Sequence, residues 1–210
     1  MARRSMEALL AGAPASVQEK FTRIRLRHGK KLVHMGQTGG PVYVLLQGMC
    51  KVSAVGPSGS LMAVTIYRPW DLIGEAEVVD DTPALCDITA LGDCELLVMD
   101  RDTFFSWMQL DFEFAKYLVG SLAQKLGYFT ENAVTQVTLP LRDRLYCLVQ
   151  EQCGADGVLR FEKQLLAEQL GTSLRSLNRT IKELVAEGRL CYRGGLLVLP
   201  PAERPRAVSR

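Results

Sequence analysis

The 210-residue sequence predicts an α+β chain in three successive parts: an N-terminal β-roll, one long helix and a C-terminal winged helix-turn-helix. Three observations predict it. Short apolar runs separated by turn residues fill the stretch from Lys31 to Met99, the pattern of a small all-β barrel or roll. From Asp111 to about Val137 the apolar period changes to steps of three and four, the pattern of a helix. Residues 162–187 then read as helix, glycine turn and capped second helix. The boundaries implied are 1–110 for the roll, 111–137 for the long helix and 138–210 for the C-terminal domain.

Composition bounds the partners. Hydrophobic residues are 48% and charged residues 23%, enough apolar material for a packed core and against wholesale disorder. Residues 138–210 hold 12 Lys/Arg against 8 Asp/Glu, and residues 1–137 hold 13 against 15. A basic end behind an acidic body suits a polyanion at that end. No apolar run reaches the ~18 residues of a membrane span, so no membrane partner and a cytoplasmic location are expected. Arg3 and Arg4 before Ala8-Leu9-Leu10-Ala11 have some look of a signal peptide. The run is short and Glu7 opens it, so an amphipathic first helix is the reading. The six cysteines form no CxxC pair and are expected as buried reduced thiols.

Within the roll, strands are expected at Val42–Leu46, Met62–Tyr67 and Glu95–Met99, with turns at Gly39-Gly40-Pro41, Gly56-Pro57-Ser58-Gly59 and Asp80-Asp81-Thr82-Pro83. In the long helix, Ala115, Leu118, Leu122, Leu126, Phe129, Ala133 and Val137 make one apolar stripe. Some 27 residues extend about 40 Å, beyond a small β domain. The stripe either lies on its own roll or forms a seam with a second copy; because it continues to the helix end, a homodimer seam through Leu118, Leu122, Leu126, Phe129 and Ala133 is expected. Pro140 interrupts the pattern, and a helix resumes over Leu141–Gln152.

The helix-turn-helix carries the candidate chemistry. Leu166 and Leu170 anchor a helix over Glu162–Leu170, Gly171 ends it, and Thr172 and Ser173 offer a cap for the next. On that second helix Leu174, Leu177, Ile181, Leu184 and Val185 share one arc. Arg175, Arg179 and Lys182 share the opposite one, flanked by Ser176 and Asn178. A basic stripe is ordinarily a solvated face. On the second helix of this motif it presents donors to guanine edges and phosphates, so double-stranded DNA is the expected partner. Gly194-Gly195 between two apolar runs reads as a hairpin wing with Arg193 at its tip.

Two segments resemble the Crp/Fnr family of bacterial transcription regulators. Asp71-Leu72-Ile73-Gly74-Glu75 resembles the family's GDxxGE ligand cassette, with Trp70 where a glycine is usual. The run from Leu166 to Arg179 resembles its recognition motif, and Gln47-Gly48 also matches. The resemblance covers nearly the whole chain. It implies a cyclic-nucleotide-binding-like jelly roll, a dimerisation helix, a dimer on a two-fold related operator and, for an activator, contact with RNA polymerase.

The departures bear on the signal. Where cyclic-AMP-binding members carry Arg-Ser, this chain has Leu85 and Cys86, and Asp80 and Asp81 precede them, so cyclic AMP is not expected. Gly74 and Glu75 remain cassette candidates, with Glu75 read as a structural hydrogen-bonding residue in the roll rather than a ligand contact. No cysteine precedes Cys50, which argues against the N-terminal iron-sulfur cluster of the oxygen-sensing branch. Haem has only His28 and His34, placed on the early strands, for axial ligands and is not expected either. The effector is otherwise unknown. Cys86 and Cys94 are read as small buried hydrophobes, with a thiol switch or metal site as the alternative. Where many members carry a base-reading Glu, this chain has Arg175, which cannot accept a hydrogen bond. No GxSxG, HExxH, phosphate-cradling glycine loop or general-base His is present, so no enzyme is expected. The competing reading is a ligand-sensing module whose C-terminal helices contact protein instead of DNA.

Overall fold

The computed structural model describes residues 5–56, 59, 61–160 and 162–201. In chain order the elements are α1 (Met6–Ala11), α2 (Ala15–Gln18), β1 (Thr22–Leu26), β2 (Lys31–Val33), β3 (Val42–Gln47), β4 (Cys50–Val55), β5 (Leu61–Tyr67), β6 (Leu72–Ile73), α3 (Glu75–Asp80), β7 (Asp87–Ala90), β8 (Cys94–Met99), α4 (Arg101–Leu110), α5 (Phe112–Thr138), α6 (Leu141–Gln152), β9 (Val158–Leu159), α7 (Lys163–Gln169), α8 (Leu174–Ala186), β10 (Cys191–Arg193) and β11 (Leu196–Val198). The chain divides into two compact units whose main break falls between Tyr128 and Phe129, inside α5.

The first unit holds two four-stranded sheets, ordered β1-β8-β3-β6 and β2-β7-β4-β5. β3 and β8 run antiparallel with Val44 opposite Leu97 and Leu45 opposite Leu96. Their side chains alternate between two cores. Val42, Val44, Leu97 and Met99 pack with Leu9, Phe104, Trp107 and Phe114 from the helices. Tyr43, Leu45 and Leu96 pack with Val52, Ile88 and Ala90 of the other sheet. A strand buried on both faces loses its polar alternation, which is why Val42–Leu46 reads as an unbroken apolar run.

Local chemistry sets the turns. The β3–β8 ladder shifts register between Leu45 and Gln47, and Gly48 follows with φ of 91°. A Cβ there would lie 2.6 Å from the Asp93 oxygen and 2.7 Å from Cys94 Sγ, so the close approach requires glycine. Asp111 separates α4 from α5: its Oδ1 accepts from the Glu113 N–H at 3.0 Å. Across that break the Trp107 and Phe114 rings stack, 3.7 Å apart and 3° from parallel. Of the turn at 56–59, residues 57 and 58 lie outside the described residues.

The second unit packs α6, α7 and α8 around Leu145, Val149, Leu166, Leu177, Ile181 and Leu184, beside a sheet ordered β10-β11-β9. The wing turn takes φ of 56° at Gly194 and 86° at Gly195, the left-handed pair that a two-residue hairpin loop needs.

Several expectations change. The helix α3 lies within the stretch from Lys31 to Met99 expected as strands, and the strand β1 precedes that stretch. β1 alternates Arg23 and Arg25 with Ile24 and Leu26, so its apolar run is broken. His28 sits in the turn after β1, where Nδ1 donates to the Leu91 carbonyl at 2.9 Å, and His34 follows β2; neither is in a strand. On α5, Leu118 is 2% exposed inside the first unit's own core and Leu122 packs against that core. Leu118 is therefore no part of an outward seam: its face is covered by the roll.

Candidate nucleic-acid interface and roll pocket

Ser173 begins α8. Its Oγ accepts from the Ser176 N–H at 3.1 Å, and its hydroxyl donates to Ser176 Oγ at 3.1 Å, so the two serines are engaged in the cap. The Thr172 N–H donates to the Ala167 carbonyl at 2.9 Å, closing the turn in which Gly171 has φ of 59°. Leu177, Thr180, Ile181 and Leu184 are buried. Leu174 and Val185, expected on the same arc, are instead 41% and 37% exposed. At about 100° per residue both fall on the margin of the buried arc, and the small Thr180 on the other margin is covered instead.

Arg175, Arg179 and Lys182 are exposed along the opposite face. Arg179 Nε lies 3.8 Å from Glu183 one turn on. Such an exposed pair holds its partners weakly and leaves the guanidinium available. Asn178 is less free: its Oδ1 accepts from Lys163 Nζ at 3.0 Å, and that ammonium lies 4.2 Å from the centre of the Tyr192 ring. Lys163 thus ties α7 to α8 and to the wing. Sequence reasoning missed Lys163 and Tyr192. The available signal was a lysine in the first turn of a helix, where the helix dipole disfavours it unless an acceptor is near. Arg193 is exposed beside the wing turn.

On α5 an exposed apolar line runs Val119, Ala123, Leu126, Ala133 and Val137, with Thr130 in the same register. Val119 and Val137 are 67% and 86% exposed. The steps of four and three are those of a coiled-coil seam, turned a fraction of a turn from the expected stripe. Phe129 lies on its flank, 39% exposed.

In the roll, Gly74 takes φ of 86° and places Glu75 at the start of α3. Glu75 is 1% exposed and accepts from Lys125 Nζ of α5. The same ammonium donates to the Leu72 carbonyl at 2.9 Å and to the Tyr67 hydroxyl at 3.4 Å. Burial raises the Glu75 carboxyl above its ordinary range, and Lys125 opposes that rise. Burial alone would lower the Lys125 ammonium, but Glu75 and Tyr67 outweigh it and hold it charged. The signal for Lys125 was legible: it sits seven residues after Leu118, a cation on the apolar face.

Leu85 is 78% exposed and Cys86 half-buried. A pocket opens between the loop at Gly39–Pro41, α3 and β7; of the cassette candidates only Gly74 lines it. Burial, then the carboxylates of Glu77 and Asp87, push the Cys86 thiol up, away from a reactive thiolate. Cys94 is engaged elsewhere: Cys50 donates to its sulfur at 3.9 Å, and Cys94 donates to the Met49 carbonyl at 3.3 Å. Among the described residues no group of three or more His, Cys, Asp or Glu could hold a metal ion. No helix there is long and apolar enough to cross a membrane.

Residues 23–111 match the model of the cyclic nucleotide-binding domain. The chain is 24% identical to the CRP-like cAMP-activated global transcriptional regulator of Mycobacterium tuberculosis, covering 91% of this chain and 90% of that one. Over nearly its whole length the chain is similar to CRP-like transcription regulators. The cyclic AMP receptor protein of Thermus thermophilus is likewise 24% identical to this chain, over 80% of it and 79% of the relative. Among solved structures, the c-di-GMP responsive global regulator CLP of Xanthomonas campestris superposes with a TM-score of 0.75 at 20% identity, over 89% of this chain and 99% of that one. FixK2 of Bradyrhizobium japonicum gives 0.75 at 16%, over 90% and 99%. These likenesses carry the fold. Within it, this chain holds the Glu75 carboxylate in an internal ion pair with Lys125.

Proposed function

We propose that this regulator binds double-stranded DNA as a homodimer, with residues 138–210 reading a two-fold related site, 111–137 pairing the copies and 1–110 receiving the signal. The observation that carries the reading is the division of α8. Leu177, Ile181 and Leu184 are buried in their unit, while Arg175, Arg179 and Lys182 share the exposed face. A helix fixed along one side and cationic along the other presents donors to a groove and its phosphates. The exposed line from Val119 to Val137 supports the pairing, since heptad spacing suits two copies of one helix.

A signal other than cyclic AMP fits the roll. An exposed Leu85 and a half-buried Cys86 offer no cation for a cyclic phosphate, and Glu75 already accepts from Lys125. The test is a gel shift on random-sequence DNA followed by selection of preferred sites. Enrichment of an inverted repeat, bound with steep salt dependence, is the expected result. Binding that ignores salt and sequence would refute the reading.

A further inference from the structure

α3 divides its acidic residues between two environments. Glu75 turns to Lys125, whereas Glu77 and Asp81 line the pocket with Val78 between them. Arg101 also lines the pocket and donates to Asp81 Oδ1 at 3.1 Å, an exposed pair with one charge of each sign. Glu77 makes no ion pair among the described residues, and with Asp81 and Arg101 beside it the lining keeps one carboxylate in excess. The apolar walls are Val33, Pro41, Tyr43, Val78, Ala84 and Ile88, and Gln37 and Thr82 add polar groups to the lining. Tyr43 is 8% exposed, and no described residue partners its hydroxyl. Backbone bonds hold the wall in place: Gly36 donates to the Ala84 carbonyl at 2.7 Å and Ala84 to the Gln37 carbonyl at 2.8 Å.

The pocket therefore combines an apolar body, one carboxylate in excess over the Arg101 cation, and a phenol whose hydroxyl has no described protein partner. A phosphate or carboxylate ligand would meet Glu77 as a like charge. A neutral apolar ligand would leave Glu77 and the phenol unused. A short alkyl ammonium satisfies each: its chain covers the apolar walls while its N–H groups donate to Glu77 and to the Tyr43 oxygen. The pocket volume is about 40 Å³. A water needs about 10–15 Å³ by the same kind of measure, so a handful of heavy atoms is the scale.

We infer that the pocket between the Gly39–Pro41 loop, α3 and β7 is a binding site for small primary amines with a short apolar chain. Glu77 is the residue that selects the ammonium. The inference deepens the sensor reading of the roll and rests on it only for the consequence to DNA; amine binding itself is independent of DNA.

The experiment titrates the full chain, with methyl groups labelled for NMR, against n-butylamine, 1-butanol and butyrate at neutral pH. Expected are shifts at Val33, Val78 and Ile88 with butylamine and an affinity at least tenfold above that of either other probe. Glu77→Gln should bring butylamine down to the level of butanol while leaving the methyl spectrum of the roll in place. Equal affinities for the three probes in the native protein, tighter butyrate, or no shift at these methyls would overturn the site. The native comparison decides even if Glu77→Gln does not fold. A protein that prefers butylamine but fails to bind DNA would refute the DNA-binding reading and leave the amine site standing. One that binds DNA without distinguishing the probes would do the reverse.

Discussion

Lys125 Nζ and the Glu75 carboxylate stand 50 residues apart in the chain and meet as an ion pair under the roll, with the Lys125 side chain 22% and the Glu75 side chain 2% exposed. Removing one member leaves the other charge buried without its counter-charge. Lys125→Met or Glu75→Gln alone is expected to cost ~3–5 kcal/mol, about 10–20 °C in the midpoint of the roll's unfolding. The double variant should recover most of that loss, since neither charge remains. Calorimetry of the three variants checks it; a neutral Lys125→Met would show that the pair does not hold the helix.

In the proposed DNA complex, base reading falls to Arg179. Its guanidinium fork matches the O6 and N7 of guanine, so Arg179→Ala should weaken operator binding by ~1–3 kcal/mol and flatten preference at one guanine per half-site. Lys182→Ala should weaken all sequences alike and lower the salt slope by about one ion. Site selection with each variant separates the two roles. An unchanged motif in Arg179→Ala removes the assignment.

In the proposed dimer, the exposed line on α5 separates pairing from folding. Val119→Glu with Ala133→Glu places like charges along the exposed line and should yield folded monomers that no longer hold an operator. Leu118→Ala acts differently, because Leu118 is buried within its own unit. A cavity there is expected to cost ~2–5 kcal/mol of stability with the copies still paired. Sedimentation measures the first and calorimetry the second. A dimeric Val119→Glu/Ala133→Glu protein would place the interface elsewhere.

Cys50 is pushed up to about 12 from an ordinary 9.0, first by burial, then by the neighbouring Cys94. The neutral thiol is the form the fold prefers. Its contribution to stability is complete below the ordinary thiol range and is lost as pH rises from about 9.0 toward about 12, where the unfolded chain ionises and the folded one does not. At pH 8 iodoacetamide should leave Cys50 unmodified in the native protein and alkylate it once urea unfolds the chain. Rapid native alkylation of Cys50 would contradict the burial.

Reading the chain alone goes far where one physical pattern controls one element. α6 begins and ends at the predicted Leu141 and Gln152, because Pro140 and a clean helical period both act there. Ser173 caps α8 as its residue type predicts. The pattern fails where burial comes from two directions. Leu118 and Val119 are adjacent, yet one belongs to the roll's core and the other to the exposed line, and hydrophobicity alone does not separate them. β1 escapes notice because Arg23 and Arg25 interrupt its apolar side. The pocket is least legible: Tyr43, Glu77 and Ile88 come from three elements, and no spacing in the chain brings them together.

The ion pair at positions 75 and 125 also constrains descent. A lineage that first loses the lysine strands an anion under the roll, and one that first loses the carboxylate strands a cation; either intermediate is poorly folded. The two positions are therefore inherited as one character. Descendants of this chain that have abandoned Glu75 are expected to have abandoned Lys125 with it, and a pairwise count over such sequences would show few that keep only one.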